Sequence, residues 1–235
     1  MIAATVISCG GSGNDDDGDG NDIGAVSSIQ RLTIIIENGS AYASQIDRVE
    51  LYITDMNHVV KRIPLVSADY NNGNITFDLT AISDPTAFLY VMFGESIMPP
   101  PVQVSNRNIK GIYIEVDAYK GDVFVTDFHY GKVIDQDKGL FKWGWPVFIS
   151  GDVTVSGTSG KQVSEREEGG KTYIEEYCST YSMNLKAGYN MMYAYYEDYT
   201  ATVTGKQIKI TGKQKHTTTN LGDLKWYRRE DFFGN

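Results

Sequence analysis

From Arg31 onward the apolar residues fall in short runs that alternate with polar ones, and turn-forming residues end each run after a few positions. Nothing else in the chain constrains its fold so tightly. A period of two is the spacing of side chains on one face of a β-strand, and the 3.6-residue period of an amphipathic helix is missing apart from a short turn near Ser40 to Ile46. Strands are expected near Arg31 to Glu37, Arg48 to Asp55, Val59 to Leu65, Asn74 to Leu79, Ala87 to Phe93, Gly111 to Ala118 and Val123 to Tyr130. The breaks carry turn chemistry: Glu37-Asn38-Gly39-Ser40, Asn71-Asn72-Gly73-Asn74, Pro99-Pro100-Pro101 and Lys120-Gly121-Asp122. Val49-Leu51-Ile53 and Ile112-Ile114-Val116 alternate most clearly, which sets one side of those strands on a core.

The pattern pauses between Gln136 and Pro146 and then resumes at Val147 to Ser156, Lys171 to Cys178, Tyr181 to Leu185, Asn190 to Tyr196, Tyr199 to Thr204, Gln207 to Thr211 and Leu224 to Tyr227. Gly169-Gly170, Lys186-Ala187-Gly188 and Gly205 supply the turns of this half. The expected fold is all-β: two antiparallel β-sandwiches of immunoglobulin-like type, residues 27–135 and 147–235, joined by a linker at 136–146. One larger sandwich is the alternative, since sheet proteins of this length also form single domains.

Ahead of the strands the character changes. Met1 to Ile7 is apolar, Ser8 is small, and Cys9 is followed by Gly10-Gly11-Ser12-Gly13-Asn14-Asp15-Asp16-Asp17-Gly18-Asp19-Gly20-Asn21-Asp22, which has no apolar residue and is expected to be disordered. An apolar run ending in a small residue before a Cys is what a peptidase needs to cleave ahead of a thiol already alkylated with diacylglycerol. Residues 1–8 are thus expected to be a signal-peptide remnant, with a lipidated Cys9 and an acidic tether over 9–26. No Lys or Arg precedes the run, and it is shorter than the roughly 7–15 residues of a usual apolar signal region. That predicts a start assigned too late or a trimmed chain. A competing reading takes Asp15, Asp17, Asp19 and Gly20 as the first half of a calcium loop, although the bidentate Glu that would close it falls on Val26.

Val6, Ser8 and Cys9 resemble a bacterial lipobox, and the acidic stretch behind them resembles the tether of Bacteroidetes-type surface lipoproteins. Tyr181-Ser182-Met183-Asn184-Leu185-Lys186-Ala187-Gly188-Tyr189-Asn190, with Leu224-Lys225-Trp226-Tyr227, resembles the C-terminal segment of such lipoproteins, where it ends an immunoglobulin-like or fimbrillin-like β domain. The resemblance implies a chain anchored by its lipid to the outer membrane and exposed at the cell surface, with the periplasmic leaflet as the alternative. It implies no cofactor beyond the covalent acyl lipid at Cys9 and assigns no catalytic residue.

Charge bears on partners. The chain carries -9 in total, but five of its thirty acids (Asp15, Asp16, Asp17, Asp19, Asp22) lie in the tether and none of its 21 bases precedes Arg31, leaving 25 against 21, or -4, for the body. A mild acidic surplus argues against nucleic acid. Cys178 is the one other cysteine; with Cys9 lipidated it is expected to be a buried small hydrophobe without a partner in the chain.

Catalytic patterns are sparse. None of His58, His129 and His216 has another His or Cys at metal-ligand spacing, no G-x-S-x-G elbow is present, and His129 reads as an ordinary strand residue without a positioned partner. Glu165, Glu167, Glu168, Glu175, Glu176, Glu197 and Asp198 supply carboxylates of the kind a glycosidase sets about 5–10 Å apart, but Glu165 to Glu168 beside Gly169-Gly170 read as a solvated hairpin tip. Aromatics offer more. Trp143 and Trp145 near the boundary, and Tyr189, Tyr193 and Tyr195 on one face of a strand, could stack on the C–H faces of sugar rings, or else could be core. Three functions follow: a non-enzymatic lipoprotein binding or presenting a glycan or protein ligand, a fimbrillin-like adhesion or assembly subunit, and a glycoside hydrolase or other hydrolase.

Overall fold

The computed structural model describes residues 29–55, 61–82, 85–135, 138 and 140–233. Fifteen strands run through them: β1 (Arg31–Ile35), β2 (Arg48–Asp55), β3 (Lys61–Asp69), β4 (Asn74–Asp78), β5 (Tyr90–Val91), β6 (Gln103–Val104), β7 (Lys110–Tyr113), β8 (Glu115–Lys120), β9 (Val123–Asp135), β10 (Leu140–Ile149), β11 (Val153–Glu168), β12 (Lys171–Leu185), β13 (Gly188–Thr204), β14 (Gln207–Thr217) and β15 (Lys225–Arg228). A single-turn helix, α1 (Arg229–Phe233), follows them. The protein is all-β.

β1 and β4 form a separate antiparallel pair. The other thirteen strands join in one sheet of order β3-β2-β8-β9-β10-β13-β14-β12-β11-β6, with β15 beside β9, β7 beside β10 and β5 beside β7. Every strand pairing is antiparallel except β12 with β14. β10 is the hinge of this order. It pairs with β9 from Leu140 to Gly144 and with β13 from Trp143 to Ile149, so a strand from each half of the chain shares it. Residues 140–146, expected as part of a linker, are therefore strand, and the sheet runs unbroken across the expected boundary. Phe141, Trp143 and Trp145 alternate there with Lys142 and Gly144, so this stretch carries the two-residue period of a strand.

Two other breaks vanish for local reasons. The runs at 171–178 and 181–185 are one strand, because Ser179 is buried and its N–H donates to Ser159 Oγ at 2.9 Å across a bulge in β11. The runs at 190–196 and 199–204 fuse into β13 through a bulge between Tyr196 and Asp198. Gly212 faces that bulge: a Cβ there would lie 2.3 Å from the Asp198 carbonyl oxygen, so only glycine fits.

The turn chemistry sits where the sequence placed it. Asn38, Asn72 and Gly73 all have positive φ, and Gly39 and Gly73 bring their two turns into backbone contact. In the Lys186-Ala187-Gly188 turn, Asn190 Nδ2 donates to the carbonyls of Lys186 and Gly188, while its Oδ1 accepts from Lys186 N–H. Asp152 accepts from Ala187 N–H and from Lys186 Nζ. The Lys-x-Gly-aromatic-Asn sequence is thus a clamped turn.

Three apolar clusters hold the molecule together. The largest lies between the β1–β4 pair and one face of β2, β8 and β9, and includes Ile34, Val49, Leu51, Ile53, Phe77, Val116 and Trp226. A second joins Phe93, Val147, Ile149, Val155, Met183 and Leu185, and a third joins Leu140, Tyr173, Tyr196, Ile208 and Ile210. Each fully buried side chain of this size contributes about 1.5–3 kcal/mol by transfer from water.

Candidate ligand-binding site

The register across β9, β10 and β13 decides which aromatics share a face. Trp143 pairs with Gly131 on one side and Ala194 on the other, so His129, Gly131, Phe141, Trp143, Trp145 and Tyr196 all project from one face of the sheet. Gly144 pairs with Tyr130 and Tyr193, and these belong to the opposite face with Tyr189, Met191 and Tyr195.

On the first face lies a cavity of about 400 Å³, within the range of small-molecule sites. Its floor holds the two indoles, stacked at 6.4 Å and 22°, with Tyr196 edge-on to Trp143 at 6.5 Å. Trp145 Nε1–H is buried and has no acceptor among the described residues. One wall is the C-terminal turn. Phe232 stacks parallel to His129 at 5.9 Å, and Phe233 meets that imidazole edge-on at 4.9 Å. Phe232 reaches this position over Gly131, where a Cβ would come within 2.6 Å of its ring.

Polar groups enter the cavity from three sides. Asp127 and His129 stand two apart on β9, hence on one face, and bond at 2.7 Å from Asp127 Oδ2 to His129 Nε2. Burial acts to raise the Asp127 carboxyl, but the bond and charge of His129 and the nearby Arg229 carry it below the usual carboxylate range. Glu115, at the end of β8, accepts the hydroxyls of Tyr52 at 2.5 Å and Thr54 at 2.9 Å. Burial, then the bond to Glu115, push the Tyr52 hydroxyl upward, so it stays a donor. From β12 and β11 come Glu175 and Arg166, linked at 3.3 Å, with Tyr196 donating to Glu175 Oε2 at 3.2 Å. Burial and the Glu175 charge raise the Tyr196 hydroxyl as well.

The aromatic candidates thus divide. Trp143 and Trp145 line the cavity and are half-buried. Tyr189 is core, 8% exposed and packed edge-on to Phe148, which corrects its reading as a ligand platform. Tyr193, 4% exposed, packs against Tyr130 and borders a second, more open recess between β1 and β15. Tyr195 is half-buried with Lys142 Nζ 5.8 Å from its ring centre. Period two was read correctly for the tyrosines, but that face of β13 is the one the β1–β4 layer covers. His129 has the partner it was not expected to have; Asp127 two residues earlier was the available signal. Phe232 and Phe233 carried no signal, because only tertiary docking brings the chain end over Gly131.

Of the remaining candidates, Glu176 points away and bonds Lys161 and Lys209, and Glu197 pairs with Lys215. Cys178 is buried, as expected. Cys9, Asp15, Asp17 and Asp19 lie outside the described residues, and among the described residues no cluster of metal-ligating side chains occurs. Among them, too, no helix is long and apolar enough to cross a membrane.

Fold and site together define an all-β protein with an aromatic-floored, polar-walled cavity. Compared with known proteins, the chain matches no family model, no curated protein and no solved structure.

Proposed function

We propose that this is an envelope lipoprotein, held to the outer membrane through an acyl lipid on Cys9, whose cavity binds a glycan at the cell surface. The observation that carries the binding reading is the stacked Trp143–Trp145 pair on the floor of a cavity bordered by Glu115, Asp127, Glu175, His129 and Arg166. Indole faces match the apolar C–H faces of sugar rings, and carboxylates, imidazole and guanidinium match their hydroxyls. Trp145 Nε1–H adds a buried donor for which a sugar oxygen is a fitting acceptor; left unmet, such a group costs about 1–3 kcal/mol.

The test is binding of the full chain carrying Cys9→Ala to bacterial, dietary and host glycans, with Trp143→Ala and Tyr193→Ala compared. Loss of binding in Trp143→Ala supports the cavity, whereas a blank across the whole panel sinks the reading. Anchoring is tested separately by palmitate labelling of wild type and Cys9→Ala. Equal label on both overturns it. A disulfide between Cys9 and Cys178 does so too, because the chain has two cysteines and one thiol cannot carry both bonds.

A second reading, hydrolysis, is favoured by the Asp127–His129 pair on the cavity wall. A carboxylate that orients an imidazole is the arrangement of a general base. Release of reducing ends from a bound glycan, abolished by His129→Ala, would move the protein from binding module to enzyme. The assembly reading draws less support: edge strand β3 carries Pro64 and Arg62, which discourage strand addition.

A further inference from the structure

We infer that the cavity selects sugars bearing a protonated amino group over neutral and acidic ones; this rests on the glycan reading above and specifies the ligand class for the same site. Three carboxylates border the cavity, Glu115, Asp127 and Glu175, against one guanidinium, Arg166. Two of the three are compensated. Asp127 bonds His129 and lies 3.4 Å from Arg229, and Glu175 pairs with Arg166. Glu115 has no ion pair among the described residues: it is exposed, its oxygens accept two neutral hydroxyls, and the guanidinium whose charge reaches it, Arg62, is bonded to Asp117. The Tyr52 and Thr54 hydroxyls fix its carboxylate without neutralising it.

The rest of the lining points the same way. Phe141, Trp143, Trp145, Tyr196, Phe232 and Phe233 line the space with aromatic rings, whose faces attract a cation through their quadrupoles. A neutral sugar uses the indole floor and the hydrogen bonds but leaves the Glu115 charge unanswered. An ammonium group on that sugar answers it. A uronic acid would bring a fourth carboxylate into a space already bordered by three, which like-charge repulsion disfavours. The combination of stacking floor, ring walls and one uncompensated carboxylate therefore selects an amino sugar rather than sugars in general.

The experiment is calorimetric titration of the full chain carrying Cys9→Ala with three probes of equal length: oligomers of glucosamine, the same oligomers fully N-acetylated, and oligomers of galacturonic acid. The expected order is glucosamine at least tenfold tighter than its acetylated form, with galacturonate weakest. Glu115→Gln, an isosteric change at an exposed position, should make the affinities for the first two equal. Raising the pH until the amine is neutral should erase the same preference in the parent chain.

Equal or tighter binding of the acetylated or acidic oligomer overturns the inference while leaving glycan binding intact. So does a glucosamine preference that survives in Glu115→Gln, which would place the recognition elsewhere. Failure of all three probes to bind defeats this inference; failure of the wider glycan panel as well defeats the reading on which it rests.

Discussion

Two aromatic sets occupy opposite faces of the same three strands and behave differently. On one face of β9, β10 and β13, Tyr130, Tyr189 and the neighbouring Trp226 pack into the main core beneath the β1–β4 pair, with Tyr130 stacked on Trp226 at 5.1 Å and Tyr193 buried beside Tyr130. On the other, Phe141, Trp143, Trp145 and Tyr196 face a cavity that α1 roofs only in part. The residue types are alike and so is the spacing. What differs is the layer above: a two-stranded sheet covers one side except for a recess beside β1, and a single helical turn ending in Phe232 and Phe233 leaves the indoles of the other facing a cavity. Aromatic content therefore says little about binding until the covering layer is known.

The sharpest way to break this comparison is to remove one indole from each face. Trp226→Ala empties a site 5% exposed and should cost about 3–5 kcal/mol, seen as a large fall in the denaturation midpoint. Trp143→Ala, on a half-buried cavity residue, should cost clearly less while abolishing glycan binding. Equal destabilisation by the two variants would return Trp143 to the core and remove the cavity from consideration.

Two groups on the cavity side of the sheet, Asp117 and His216, answer pH in opposite senses. On the polar face of β8, Asp117 is fully buried against Arg62, and burial outweighs that attraction, so its pKa is pushed up to about 6. A carboxyl raised in the folded state contributes stability that is present below its ordinary pKa and lost as pH rises to about 6, about 3 kcal/mol in all. His216 on β14, stacked on Tyr181 at 4.9 Å, is lowered by burial to about 4. Its contribution runs the other way: it is present at neutral pH and lost as pH falls from 6.5 through about 4, again about 3 kcal/mol. The two effects oppose one another over the same window. Asp117→Asn should therefore make the protein lose stability more steeply on acidification, and His216→Phe should make it gain stability between pH 6 and 4. Matching slopes for parent and both variants in urea titrations at several pH values would refute this assignment.

Glycines on the two faces give a smaller effect. Gly131→Ala sets a Cβ against the Phe232 ring and the Lys142 carbonyl, and Gly144→Ala sets one 2.9 Å from the Tyr130 and Tyr193 rings. Each should cost about 1–3 kcal/mol by overpacking. Gly131→Ala should also loosen α1, read as faster amide exchange at Phe232 and Phe233, while Gly144→Ala should leave α1 protected. Smallest of all is the surface network in which Glu176 bonds Lys161 and Lys209 and is held below its usual range by those bonds. Glu176→Gln should cost under about 1 kcal/mol, and less in high salt.

Most of the strands were legible because alternation and turn residues are local properties. Asn38, Asn72 and Gly73 turn where they were expected to, since positive φ depends on the residue itself. The fused strands β12 and β13 were not legible, because Ser179-Thr180 and Glu197-Asp198 look like breaks until a partner strand bulges or a glycine such as Gly212 makes room. The Asp127–His129 pair was half legible: spacing puts both on one face, but not beside a cavity.

By itself, then, the sequence determined the all-β class, the turns, and which residues share a side of each strand, because a two-residue period and a positive-φ position are written in neighbouring residues. Only the tertiary structure decided what each side faces. It made 140–149 the strand that joins both halves, buried Tyr189 and Tyr193, left Trp143 and Trp145 beside open space, and brought Phe232 over Gly131. These outcomes depend on which distant segment packs above a strand, and that follows from the packing of the whole chain rather than from any local run of it.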